Sequence, residues 1–139
     1  MYFVRVTLII VGLIQIVNGA MYLAAPAAVT AVLGVLTPAP PWVGFILATA
    51  GARFVGYGIG MLAAARSPRE HKLWIDTMIA IQALDVIATL WYSANGALPA
   101  GHIQAGTALP LLWVVLLGWI GVGMHRSPPP RQEQAAFDG

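Results

Sequence analysis

Three sets of polar residues interrupt an otherwise apolar sequence, and each recurs at helical spacing. Gln15, Asn18 and Tyr22 form the first set, Thr49, Arg53 and Tyr57 the second, and Gln82, Asp85, Thr89 and Tyr92 the third. Steps of three and four place each set on one face of a helix. Arg53 and Asp85 carry the strongest chemistry. A guanidinium and a carboxylate can neutralise each other, hold a polar ligand or pass a proton. Amides and a phenol beside them supply further donors and acceptors. The candidate polar pocket is therefore Gln15, Asn18, Arg53, Tyr57, Gln82 and Asp85. Asp76 lies nine residues before Asp85, about half a turn away in angle. It reads as an acid placed in the first turn of a helix, where the dipole favours it.

The elements that must position these groups follow from composition. Seven basic and five acidic residues make up 9% of the 139-residue chain, against about 25% in soluble domains. Apolar residues reach 59% and the mean hydropathy is +0.79. So few charges cannot solvate the surface that a small soluble domain exposes. A soluble globular protein, a disordered chain and a nucleic-acid binder are all excluded. The pI of 9.4 rests on a net charge of only +2. Cysteine is absent, which removes disulfides, thiolate metal sites and cysteine catalysis. An integral membrane protein remains.

Crossing the hydrocarbon takes about 20 apolar residues. Segments at about 6–25, 42–65, 73–94 and 107–125 meet that length. Residues 1–125 thus read as a single four-span domain, all-α, an antiparallel up-down four-helix bundle. The breaks carry turn chemistry: Pro38, Pro40 and Pro41; Arg66-Ser67-Pro68; Asn95-Gly96 with Pro99. Pro110 is placed in the first turn of span four, where a missing N–H costs little. Gln15, Asn18 and Tyr22 interrupt span one too often for a signal peptide. Residues 26–41 are too short to cross and read as a short helix lying at the outer surface or packed on the bundle mouth. Residues 126–139 are Pro-rich and polar, and a disordered cytoplasmic tail is expected. Arg5, Arg66, Arg69, Lys72, Arg126 and Arg131 all flank the spans on one side, while 26–41 and 95–106 hold no Lys or Arg. Both termini are therefore predicted to be cytoplasmic.

Gln15, Arg53 and Asp85 fall near the middle of their spans, so three helices bring polar groups to one depth. An arginine there costs roughly 2.5–3.5 kcal/mol, and each Leu, Ile, Val or Phe returns about 0.3–0.6. Span two has eight such residues, so it is marginal alone and an intramembrane Arg53–Asp85 ion pair is predicted. Such a pair can serve only to fix helix register. Gly44, Ala48, Ala52, Gly56, Gly60 and Ala64 recur every fourth residue in span two and predict a close helix-packing ridge. Packing within the bundle or a homodimer would use it.

Several patterns fail on context. Val55-Gly56-Tyr57-Gly58 spells a potassium filter, but inside a continuous span and behind Arg53. Gly56-Tyr57-Gly58-Ile59-Gly60 has no preceding strand to make a nucleotide loop. His71 and His125 are placed on the opposite side from His102, so no shared metal site is expected. Ser67, Ser93 and Ser127 have no His–Asp partner in view. A weak repeat joins Leu13–Asn18 to Ala80–Asp85 at an offset of 67, which also maps Gly51 to Gly118 and Gly56 to Gly123. Two parallel hairpins about an axis along the membrane normal would fit it.

Gly19-x-x-Tyr22-Leu23-x-x-Pro26, then Leu33-Gly34, then Arg53-x-x-Gly56-x-x-x-Gly60 resembles the small four-helix bacterial membrane proteins of the DoxX-like and related families, over roughly residues 6–65. That resemblance implies a compact four-helix bundle in a bacterial cytoplasmic (inner) membrane. Some relatives are membrane subunits of quinone-linked oxidoreductases, and no catalytic residue carries over. The leading expectation is a binding or accessory bundle whose midplane polar cluster is mainly structural. The first alternative is a small-molecule or proton-coupled transporter or ligand-binding bundle using Arg53 and Asp85. The second is a membrane subunit of a quinone-linked oxidoreductase. An enzyme is least favoured, because no nucleophile, metal or cofactor motif is present. The expected partner is the lipid bilayer, with a homo-oligomer or larger membrane complex left open. No nucleic acid and no cofactor are expected, and the ligand is not specified.

Overall fold

In a computed structural model of the chain, residues 2–32, 40–96 and 100–126 are described. Backbone polar groups in hydrocarbon must be satisfied within the segment, which favours helices. Every described element is helical: α1 (Tyr2–Ala24), α2 (Pro26–Val32), α3 (Pro41–Arg66), α4 (Lys72–Ala94) and α5 (Ala100–Arg126). Three of them, α1, α3 and α4, are long and apolar enough to cross a membrane. In α5 the apolar stretch among the described residues is Ala108–Gly123. Large apolar side chains such as Leu13, Phe45, Ile59, Leu84 and Ile87 stand exposed, as lipid-facing positions would. The chain is a helical membrane protein by these criteria.

Local chemistry sets the helix limits. Pro41 starts α3 at a position that needs no N–H. Arg66 closes it, its charge favourable at a helix C-terminus. The five-residue link to α4 is tied by its own backbone, Ser67 O accepting from the N–H groups of Glu70 and His71. At the end of α4, Gly96 takes φ +70°, which glycine adopts without Cβ strain. The Asn95 Nδ2 donates to Trp91 O at 2.8 Å.

Glycines decide which helices pair most closely. Gly12 lies on Gly58 and Gly19 on Gly51, so residue numbers rise along α1 as they fall along α3. A Cβ at Gly58 would stand 2.5 Å from Gly12 O, and one at Gly19 would stand 2.6 Å from Gly51 O. The α4 helix packs chiefly on α5, with Asp76 and Ile79 against Gly121. The two helix pairs join near the α3–α4 link. Leu8, Val11, Met61, Ala64, Ala65, Ile75, Met78, Leu117 and Ile120 bury one apolar core there. Trp74 covers Gly60 at the α3–α4 contact, and Phe3 meets Trp119 edge-on at 5.6 Å.

Four expectations change. The four-residue ridge of α3 is not one packing face, since a Cβ at Gly44 or Gly56 would meet nothing within 4 Å. Each four-residue step advances about 40° around a helix, whereas seven residues return within about 20°. The close backbone contacts with α1 therefore fall to Gly51 and Gly58, while of the ridge Gly60 packs under Trp74 and Ala64 lies in the core. Pro110 lies inside α5, because the helix starts earlier, at Ala100. Asp76 falls beyond the first turn of α4 and pairs with Lys72 one turn before it. Arg126 ends α5, and the remainder of the expected tail, 127–139, lies outside the described residues. Of the surface segment 26–41, residues 26–32 form α2, and 33–39 are likewise outside.

Candidate functional site

Away from the shared core, the helix pairs stand apart. No close backbone approach links α1 to α4 among the described residues. Between them lies a cleft of about 360 Å³, within the ordinary range for a small-molecule site. Gln15, Asn18 and Tyr22 of α1 face it, with Phe54 of α3. Gln82, Asp85, Ala88 and Thr89 of α4 line the other side, and Leu109, Pro110 and Trp113 of α5 complete it. Ring packing holds one wall, with Tyr22 and Phe54 edge-to-face at 5.3 Å.

The polar groups of this cleft are not spent on one another. Gln15 is 5% exposed and Gln82 3%, yet neither amide has a hydrogen-bond partner among the described residues. Trp113 is 5% exposed, and its indole Nε1 is buried without a partner. A buried group left unsatisfied costs about 1–3 kcal/mol, a cost that falls here on the Trp113 Nε1. Asp85 is accessible; its backbone carbonyl accepts the Thr89 hydroxyl at 2.8 Å, and its carboxylate is in no ion pair among the described residues.

Four of the six residues predicted from sequence line the cleft: Gln15, Asn18, Gln82 and Asp85. Arg53 and Tyr57 do not. Tyr57 is half-buried against the apolar core, and Arg53 is exposed on α3. The Arg53–Asp85 ion pair is not formed; among the described residues the ion pair is Lys72–Asp76. Two causes combine. The α3 and α4 helices meet near Gly60 and Trp74 and are parted by the cleft farther along. Phe54, about 100° around the helix from Arg53, takes the cleft-facing position. Thr49 does not join the site either, its hydroxyl donating to Ile46 O at 2.8 Å.

Sequence reasoning left Phe54 and Trp113 out of the site. An indole N–H inside an otherwise apolar span was the available signal for Trp113. Tyr22 and Thr89 lay on the polar stripes without being counted in the pocket. The 67-residue offset held more than the first pairing suggested. It carries Gln15, Asn18 and Tyr22 onto Gln82, Asp85 and Thr89, and all six line the cleft from opposite walls.

A second cavity of about 210 Å³ lies at the link end, lined by Arg5, Arg66, Ser67, Pro68, Arg69 and Glu70. Its charge is mainly basic, whereas the cleft holds a carboxylate and, among the described residues, no basic side chain. No three metal-ligating side chains cluster among the described residues. Comparison of the chain with protein-family models, characterised proteins and solved structures finds no match.

Proposed function

We propose that the chain is a multi-pass membrane protein that binds a small molecule in the cleft between its two helix pairs. In this reading it crosses a bacterial inner membrane four times, as an antiparallel bundle with both termini cytoplasmic. The basic residues near span ends support that orientation, and the DoxX-like resemblance supports the location. The observation that carries the binding reading is the set of cleft groups without hydrogen-bond partners among the described residues, namely the buried Trp113 Nε1 and the amides of the largely enclosed Gln15 and Gln82. A polar cluster kept for structure would close on itself, because unpaired polar groups weaken a fold. Groups that await a ligand weaken it and are retained for binding.

The test is the stability of Gln82→Leu in detergent. If Gln82 is kept for a ligand, removing its amide loses no internal hydrogen bond, and stability should hold or rise by about 1 kcal/mol. A fall of that size would show a closed structural network and sink the binding reading. Cysteine labelling tests the orientation separately. Reaction of Ser67→Cys with an impermeant reagent in intact cells would reverse it.

A second reading, association with another membrane protein or a second copy, is favoured by Arg53. This cation stands exposed on α3 beside the open Ala52 and Gly56. In lipid it would cost roughly 2.5–3.5 kcal/mol, a cost that a partner helix could offset. Gly56→Leu should leave the fold intact and change the oligomeric state. An unchanged oligomeric state would remove this reading.

A further inference from the structure

We infer that the cleft selects a hydrophobic organic cation, an ammonium carrying an apolar group. The inference rests on the ligand-binding reading of the cleft and adds the chemical class of its occupant. Charge is the first argument. Asp85 is the carboxyl on the cleft wall, and no Lys, Arg or His lines it among the described residues. An anion placed there would meet a carboxylate with no compensating cation, whereas an ammonium would meet its counter-ion. Nor is that carboxylate occupied within the described protein, since Asp85 is in no ion pair.

Ring chemistry is the second argument. Tyr22, Phe54 and Trp113 all line the same cleft, and aromatic faces attract cations, Trp most strongly. Desolvation strengthens that attraction, and Trp113 is itself largely enclosed. The third argument is the buried amides. The carbonyl oxygens of Gln15 and Gln82 accept hydrogen bonds from a protonated amine or face the positive methyls of a quaternary one. Their side chains are committed to nothing else among the described residues. The basic cavity at the link end has the opposite character, so the preference belongs to the cleft and not to the chain as a whole.

Three probes of nearly one shape separate charge from fit. Benzyltrimethylammonium is the cation, neopentylbenzene its neutral isostere and phenylmethanesulfonate an anion of similar outline. Each is titrated against the full chain in nanodiscs of zwitterionic lipid. Tryptophan fluorescence is read as the difference from Trp113→Phe, so that the signal reports the cleft. The cation should perturb Trp113 at a concentration about tenfold or more below its neutral isostere, and the anion should not perturb it. Asp85→Asn should erase the difference between cation and isostere. Gln82→Glu added to Asp85→Asn should restore it, which a misfolded variant could not do. If the isostere or the anion matches the cation, the cation inference falls and the cleft remains a binding site for another class. If none of the three perturbs Trp113, the ligand-binding reading falls with it.

Discussion

The two ends of this molecule solve the same packing problem differently. At the link end, Met61, Ile75, Met78 and Leu117 are fully enclosed and the helices of both pairs share one core. At the other end, the same helices carry Gln15, Asn18, Gln82 and Asp85 and are separated by a cleft. Apolar side chains there could have closed the gap as they do below. Polar groups that find no partner inside instead line an open space. Enclosed apolar packing is concentrated at one end, and unclosed polar surface at the other.

Substitutions can break that contrast, and the largest effect should come from the closed end. Leu117→Ala removes a fully buried side chain from the shared core and should cost about 2–5 kcal/mol, read by thermal unfolding in detergent. Gly58→Leu should follow, at about 1–3 kcal/mol or more, because its Cβ already meets the α1 backbone. Its control is Gly56→Leu, two residues away, where the side chain would enter open space and stability should be unchanged. Similar losses from the two would show that α1 does not pack on α3 as described. At the cleft the sign should reverse. Gln15→Leu should be neutral or stabilising by up to about 1 kcal/mol, and a clear loss would mean that both ends are built on internal contacts. The smallest effect should come from Lys72→Ala. Its pair with Asp76 is partly exposed, and such pairs contribute about 0.2–0.5 kcal/mol. A denaturation curve shifted by more than that would point to a wider network around α4.

Much of this arrangement was legible in the sequence. The all-helical fold and the limits of α3 and α4 followed from apolar runs bounded by Pro, Gly and charge, though α5 starts at Ala100, ahead of the expected 107. The α1 stripe and Gln82, Asp85 and Thr89 of the α4 stripe face the cleft, while Tyr92 stands exposed outside it. The α3 stripe misled. A polar face marks an interior face only where a neighbour is present to cover it, and around Arg53 the neighbouring helix has already turned away. Apolar composition also hid Phe54, since a lipid-facing and a cleft-facing Phe read alike in a membrane span. The glycines misled for a geometric reason. A fourfold spacing is conspicuous in the sequence but rotates around a long helix, while the sevenfold pair Gly51 and Gly58 stays on one line. The cleft itself is a gap between helices, and a gap has no residues of its own to announce it.

The close pairing of α1 with α3 also bears on the order in which the protein can be made. Gly12, Gly19, Gly51 and Gly58 all belong to the first 66 residues. Translation delivers them before α4 exists, and chains assemble from the N-terminus as they emerge. The first leaf can therefore reach its tightest contacts inside the membrane while the second is still in the ribosome. Gln15 and Asn18 would wait on that leaf without their counterparts, and the cleft would come into being only when α4 and α5 dock. A nascent chain halted after α3 would hold a finished hairpin and half a wall.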